Sequence, residues 1–169
     1  MIAWRICKAK HQATALSGDG AAKYPGRWNS VGRRIVYLGE SRSLAALETL
    51  VHAEDLSLLS AIAWVAIPVE FDDSLVIQPS RFPAGWDSVP PDAATRLFGG
   101  DWIEGRRSLA LRVPSVVIKG ECNYLLNPLH PDFARIKAGT PEPFSFDKRV
   151  SVGERQGRCE GGGVMECVE

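Results

Sequence analysis

Short runs of β-branched and aromatic residues recur along this chain, but they do not alternate with helices in a regular βαβα order. Residues 62–69 are apolar at almost every position, which is typical of a central strand covered on both faces. Predicted strands outnumber clear helices, and this pattern favours an α+β fold, a mixed sheet with flanking helices. The strands are predicted at residues 4–6, 35–38, 62–69, 109–113, 116–118 and 144–147.

The strongest helix signal lies at residues 44–53, which are rich in good helix formers. Ser43 is the candidate N-cap, because its hydroxyl can accept a hydrogen bond from the first turn. Leu44, Leu47 and Val51 follow helical spacing, so we expect them to form the buried face. The other expected elements are a short helical turn within 11–34, a short helix at 92–98 and a turn at 127–131.

The charge balance excludes several classes of protein. The chain has 169 residues with 20 basic and 20 acidic side chains, so its formal net charge is zero. Non-specific binding to nucleic acid needs a basic excess, so we expect no direct nucleic-acid partner.

No apolar run approaches the ~20 residues of a membrane span. The first residues do not resemble a signal peptide, which favours the cytoplasm.

The four cysteines and three histidines are scattered along the chain without the spacing of a zinc site. A cytoplasmic chain with a core of this size does not need disulfides for stability. We therefore expect neither a bound metal nor a disulfide.

Residues 151–169 differ in composition from the rest of the chain. They contain five glycines, four glutamates and two arginines, a net charge of −2 that leaves +2 on residues 1–150. We expect residues 1–150 to form one domain and residues 151–169 to form a disordered tail. Truncation after Val150 should leave the melting temperature unchanged in a thermal unfolding experiment, and a large fall would contradict this expectation.

Glu48 lies four residues after Leu44, at the margin of the predicted apolar helix face. A carboxylate at such a position needs a partner or a cleft, because burying it alone is costly. It could be a boundary residue that pairs with His52 one turn later, or a carboxylate that acts on a ligand.

Arg27 follows a glycine and precedes an aromatic residue, in a loop before a predicted strand. Its guanidinium could bind an anion beside a stacking surface, or lie on the surface while Trp28 packs in the core. Tyr37 fits either a core tyrosine or an aromatic platform for a ligand. Ser115 follows a proline, where a hydroxyl commonly bonds its own backbone.

Five ordered segments carry a family resemblance: GRWNS at 26–30, IVY at 35–37, SLAALETLVH at 43–52, LRVPS at 111–115 and NYLLNPLHP at 123–131. From Trp4 to about Arg149 the chain resembles the RES-domain toxins. The family is named for an Arg, a Glu and a Ser, which correspond here to Arg27, Glu48 and Ser115. The RES domain would thus occupy residues 1–150, and the tail matches nothing in that family.

The resemblance implies a fold similar to that of ADP-ribosyltransferase toxins, and the toxin role in a type II toxin–antitoxin system. It implies that the substrate is NAD, whose nicotinamide–ribose bond is cleaved with water or phosphate as the acceptor. The implied partner is an antitoxin with an Xre-like helix-turn-helix part, which would carry the DNA binding. Homodimer formation is a further expectation.

In that chemistry, Glu48 would stabilise the positive charge that develops on the ribose, and Arg27 would bind the pyrophosphate. Tyr37 would stack on the nicotinamide ring. Ser115 would hydrogen-bond the substrate or orient Arg27. The expected supporting residues are Asn29 and His52.

Two other functions are alternatives. One is an ADP-ribosyltransferase that modifies a specific protein, for which the same four residues would serve. The other is a non-catalytic module that binds NAD or the antitoxin, and the presence of Arg27, Tyr37, Glu48 and Ser115 argues against it.

Overall fold

The computed structural model of the chain describes residues 1–53 and 55–150, so the predicted disordered tail at 151–169 lies outside the described residues. The helices are α1 (Asp19–Lys23), α2 (Arg42–Val51) and α3 (Ala93–Gly105), and short 3-10 turns lie at Ala9–Thr14, Leu56–Leu59, Asp73–Leu75, Pro131–Arg135 and Lys148–Val150. The strands are β1 (Ile2–Lys8), β2 (Val36–Gly39), β3 (Trp64–Glu70), β4 (Val76–Ile77), β5 (Ala110–Pro114), β6 (Cys122–Leu126), β7 (Lys137–Ala138) and β8 (Glu142–Phe144).

The strands form one mixed sheet in the order β4-β5-β6-β2-β1-β3-β7, and β8 also pairs with β3. The β4–β5 pair is parallel, and β5–β6, β6–β2, β2–β1 and β1–β3 are antiparallel. This arrangement, with helices packed on the sheet, confirms the predicted α+β class. The prediction of a central apolar strand at 62–69 is also confirmed, because β3 lies inside the sheet and is buried along most of its length.

The N-cap of α2 is Ser41, two residues before the predicted one. Its hydroxyl accepts a hydrogen bond from the backbone N–H of Leu44, with a donor–acceptor distance of 3.0 Å. The prediction of Ser43 was wrong because both serines are good caps, and the sharp turn after β2 decides where the helix begins.

The buried face of α2 also differs from the expectation. Leu44 is fully buried, but Leu47 is 36% exposed and Val51 is 56% exposed. The helix packs against β1 and β2 through the side that carries Leu44 and Ala45. Glu48 lies one turn after both of these residues, so the carboxylate is on the inner side of the helix.

The predicted extension of a strand through residues 116–118 was wrong. The Ser115 hydroxyl accepts hydrogen bonds from the backbone N–H groups of Val117 and Ile118, at 3.1 Å each, and this turns the chain back. The following segment is β6, an antiparallel partner of β5 that periodicity alone did not identify.

The helix predicted at 92–98 continues to Gly105, after an N-cap formed by Asp92. Two consecutive glycines lie within it, and Gly99 is where α3 closely approaches the backbone of Trp28. In the part of the chain that the structure describes, no helix is long and apolar enough to cross a bilayer.

Candidate functional site

The carboxylate of Glu48 is held by two side chains from distant parts of the sequence. Its Oε1 atom accepts hydrogen bonds from Ser115 Oγ at 2.9 Å and from Asn123 Nδ2 at 2.5 Å. Its Oε2 atom has no hydrogen-bond donor among residues 1–53 and 55–150. One oxygen is thus fixed by the protein, and the other is available to a ligand.

Ser115 is the residue that orients this carboxylate. The side chain is buried, and its lone pairs are taken by the N–H groups of Val117 and Ile118. The hydroxyl hydrogen therefore points at Glu48. Among the described residues no hydrogen bond joins Ser115 to Arg27, and the expectation that Ser115 binds the substrate stays a prediction.

Asn123 was not singled out by sequence reasoning. It lies near the start of β6, directly opposite Gly39 of β2 and Val113 of β5. Its amide also has a buried Oδ1 atom that lacks a hydrogen-bond partner within the described chain. A polar residue that begins an apolar strand is the signal that could have identified it.

Strand register places Tyr37 on the same side of the sheet as Glu48. Tyr37 is paired with Leu125, and Gly39 with Asn123. Because side chains alternate along a strand, Tyr37 and Asn123 point to one face of the sheet. Asn123 donates to Glu48 on that face, so the Tyr37 ring and the Glu48 carboxylate lie on the same face of the sheet.

Arg27 is anchored through one of its terminal nitrogens. Its Nη1 atom donates to the backbone carbonyls of Trp86 at 2.7 Å and Ser88 at 2.8 Å. Burial lowers the pKa of Arg27, and the negative charges of Glu48 and Asp87 act in the opposite direction. No carboxylate among the described residues forms an ion pair with Arg27, so its charge is available to an anion.

Trp28 fixes the loop that carries Arg27. It is buried, as one of the two alternatives for this segment predicted, and it stacks on Trp86 with ring centroids 6.4 Å apart. The edges of Phe82 and Phe98 complete the aromatic cluster. The Trp28 indole and the Arg27 guanidinium therefore both contact the segment around Trp86.

Asn29 is a structural residue of this loop. It is fully buried, and its Nδ2 atom donates to the carbonyls of Ala21, Ser30 and Arg33 at 2.7 to 3.2 Å. Its Oδ1 atom accepts from the Tyr37 hydroxyl at 2.8 Å. The amide thus has partners within the protein at both its nitrogen and its oxygen, and these hold the loop and the Tyr37 hydroxyl in place.

The hydroxyl of Tyr37 is also occupied, since it accepts from the N–H of Trp28 at 3.2 Å while it donates to Asn29. Burial raises the pKa of Tyr37 well above its ordinary value, so the group stays protonated. A Cβ atom at Gly26 would lie 2.8 Å from this hydroxyl, so the close approach requires a glycine. The Tyr37 hydroxyl thus has both a donor and an acceptor partner within the protein.

His52 is not joined to the site. It is exposed at the C-cap of α2, and it forms no ion pair with Glu48 in the described structure. The described residues also hold no group of three or more His, Cys, Asp or Glu side chains that could bind a metal ion.

Together, a fixed carboxylate, an aromatic ring and an unpaired guanidinium suit a ligand that has both a cationic and an anionic part. The carboxylate can stabilise positive charge, and the guanidinium can hold a phosphate group.

Known proteins resemble this chain in sequence and in fold. The family model described as "RES domain" matches residues 2–147. The chain is 40% identical to "Toxin Res" of Yersinia enterocolitica over 151 residues, covering 89% of this chain and 99% of that protein. It is also 40% identical to "Prs ADP-ribosylating toxin" of a Sphingobium species, covering 87% of this chain and 94% of the relative.

A solved structure shares the fold. It is the "M.tuberculosis MbcT-MbcA toxin-antitoxin complex", in which the matched chain has a TM-score of 0.69 and 14% sequence identity. The match covers 85% of this chain and 84% of that one. The match of the family model over most of the chain and the identity to relatives of nearly the same length lead to one conclusion: this chain belongs to the RES-domain family.

Proposed function

We propose that this chain is the toxin of a toxin–antitoxin pair and that it cleaves the nicotinamide–ribose bond of NAD. The observation that carries the proposal is the state of Glu48, which is fixed at Oε1 by Ser115 and Asn123 and free at Oε2. The names of the relatives, which include an ADP-ribosylating toxin, support a toxin that acts on NAD.

The reaction develops positive charge where Glu48 can stabilise it. The bond between the ribose C1′ and the nicotinamide nitrogen breaks, and its electron pair leaves with the ring, which becomes neutral nicotinamide. The ribose gains oxocarbenium character, which a nearby carboxylate stabilises. Water then adds to C1′ and loses one proton, so the products are nicotinamide, ADP-ribose and a proton. With phosphate as the acceptor, the second product is a phosphorylated ADP-ribose.

The other site residues suit the remaining parts of NAD. Arg27 is the candidate for the pyrophosphate, because its guanidinium is held by two carbonyls and has no carboxylate partner in the described structure. The ring of Tyr37 is the candidate surface for the nicotinamide. No step of this mechanism uses a metal ion.

A second candidate activity is transfer of ADP-ribose to a specific protein, and the name of the Sphingobium relative favours it. NAD labelled in its adenosine part separates the two. Free labelled ADP-ribose, or its phosphate, supports NAD degradation, whereas label that stays on a protein after denaturation supports transfer. Intact NAD after a long incubation with the purified chain would contradict both.

Substitution of Ser115 by alanine tests how Glu48 is held. The variant loses one hydrogen bond to the carboxylate, so we expect kcat for nicotinamide release to fall by about 10- to 100-fold, with a small change in KM. Two backbone N–H groups also lose their acceptor, so we expect a loss of ~1–3 kcal/mol in unfolding free energy.

A double substitution separates positioning from general destabilisation. If Ser115 acts through Glu48, then adding S115A to the E48Q variant lowers kcat no further. Additive losses in kcat would show that Ser115 acts independently of the glutamate.

The proposed partner is an antitoxin that binds over the site. Leu47 and Val51 are exposed beside Glu48 on α2, and Leu58 is 52% exposed shortly after the helix. Exposed apolar side chains next to a catalytic carboxylate suit a protein partner that covers both. The helix-turn-helix type of this partner, a homodimeric state and a cytoplasmic location are further parts of the proposal.

Co-expression tests the partner. Growth arrest on expression of this chain, relieved by the product of the adjacent gene, is the expected result. Replacement of Val51 by aspartate should weaken that relief while nicotinamide release is retained. No growth effect from a chain that degrades NAD in vitro would contradict the toxin role.

A further inference from the structure

Arg96 of α3 is a half-buried arginine that the mechanism above does not use. It lies on the same helical stripe as Gly99 and Ile103, at spacings of three and seven residues. Gly99 contacts the backbone of Trp28, and Ile103 is buried in the cluster that contains Trp28 and Tyr37. The stripe therefore faces the loop that carries Arg27, and Arg96 lies close enough to Tyr37 for its charge to act on the hydroxyl.

The guanidinium of Arg96 has no partner in the described structure. Its Nε atom is buried without a hydrogen bond, and no carboxylate among the described residues forms an ion pair with it. A half-buried cation without a counter-ion is unfavourable in an isolated protein. Such a cation without a carboxylate partner is typical of a site that is completed by an anionic ligand.

Two further arginines lie around the same tyrosine. Arg5 donates from Nη1 to the backbone carbonyl of Tyr37 at 3.1 Å, and its Nε is also buried without a partner. The positive charges of Arg27, Arg5 and Arg96 all act on the Tyr37 hydroxyl and oppose the rise that burial causes in its pKa. Glu48 and Asp87 are the carboxylates that act on Arg27, so cations exceed anions around Tyr37.

We propose that Arg96 is a second anion-binding residue of this site and that it binds, together with Arg27, the two phosphate groups of a dinucleotide. Arg27 reaches the site from the loop before β2, and Arg96 reaches it from α3, so the two guanidiniums approach from different elements. A diphosphate carries one negative charge on each phosphate, which matches two arginines without carboxylate partners. Arg5 donates to the backbone carbonyl of Tyr37, so it adds positive charge near the site but does not contact the dinucleotide. This inference rests on NAD as the substrate of the proposed function.

Binding of ADP-ribose to the full chain, measured by isothermal titration calorimetry, tests this proposal. We expect R96Q to weaken binding by about 10- to 100-fold, the range of one charge-assisted hydrogen-bond pair. The matched control is R107Q, which removes a charge from an exposed arginine just after the same helix and should bind like the wild type. Nicotinamide riboside has no diphosphate, so the R96Q substitution should change its cleavage by less than about threefold.

The outcomes separate this inference from the proposed function. If R96Q binds ADP-ribose as tightly as R107Q, Arg96 is not an anion-binding residue, whatever the activity of the chain. If R96Q weakens binding but the wild type releases no nicotinamide from NAD, the diphosphate site stands and the proposed reaction is wrong. A loss in cleavage of nicotinamide riboside by R96Q that equals its fold-loss in affinity for ADP-ribose would indicate a general disturbance of the fold and would overturn the assignment.

Discussion

Replacement of Glu48 by glutamine is expected to lower kcat for nicotinamide release from NAD by about 10²–10⁴-fold. Glutamine keeps the shape of the side chain, and its carbonyl oxygen can still accept from Ser115 and Asn123. What it loses is the negative charge that stabilises the ribose as the bond breaks. KM for NAD should change little, because Arg27 and Tyr37 are untouched.

A neutral substitution elsewhere controls for the change in charge. Glu70 lies at the end of β3 and is 57% exposed, in a loose pair with Lys137. The E70Q variant should retain wild-type kcat and melting temperature. If E48Q keeps more than about a tenth of wild-type turnover, the carboxylate is not the stabilising group.

Replacement of Gly99 by alanine is expected to lower the unfolding free energy more than any of the other proposed substitutions, because α3 closely approaches the loop that carries Arg27. A Cβ atom at residue 99 would overlap the carbonyl oxygen of Trp28 and lie 3.2 Å from its Cα. These are backbone atoms, so either the helix or the loop must move. We expect a loss of ~2 kcal/mol or more, and a fall of ~5 °C or more in melting temperature.

The neighbouring glycine provides a matched control. A Cβ atom at Gly100 would meet nothing within 4 Å, so G100A should stabilise the helix by ~0.5–1 kcal/mol. G99A should also lower nicotinamide release beyond the loss of folded protein, because the displaced loop carries Arg27. Equal melting temperatures for G99A and G100A would show that this contact does not constrain the loop.

Part of this site could be predicted from the sequence. The spacing of Leu44 and Glu48 placed the carboxylate at the margin of the buried face, and it lies on the inner side of α2. The segment around Arg27 left two alternatives open, and the structure buries Trp28 in the core while Arg27 donates to two backbone carbonyls. The α+β class followed from the order of the predicted strands.

The partners of these residues could not be predicted, because they depend on strand register and turns. Ser115 meets Glu48 across 67 positions, and Asn123 meets it across 75. Both contacts require that β5 and β6 pair on the correct side of β2, which no local pattern specifies. Asn29 was expected to support the site, but the loop carbonyls to which its amide donates could not be predicted, for the same reason.

The boundaries of the helices depended on packing more than on propensity. Both Ser41 and Ser43 can cap a helix, and the chain direction after β2 selects Ser41. Leu47 and Val51 have the spacing of a buried face but are exposed, because the sheet covers only the side with Leu44 and Ala45. An apolar pattern therefore identified the helix but not the face that contacts the sheet.

The central claim is that this chain breaks the nicotinamide–ribose bond of NAD with Glu48 as the stabilising carboxylate. Proton NMR of NAD incubated with the purified full chain, with water alone and then with added phosphate, measures this directly. The account predicts that free nicotinamide appears as NAD disappears, one molecule for each, with the wild type and E70Q but at least about 10²-fold more slowly with E48Q. Intact NAD under both conditions, or equal rates for the wild type and E48Q, would contradict it.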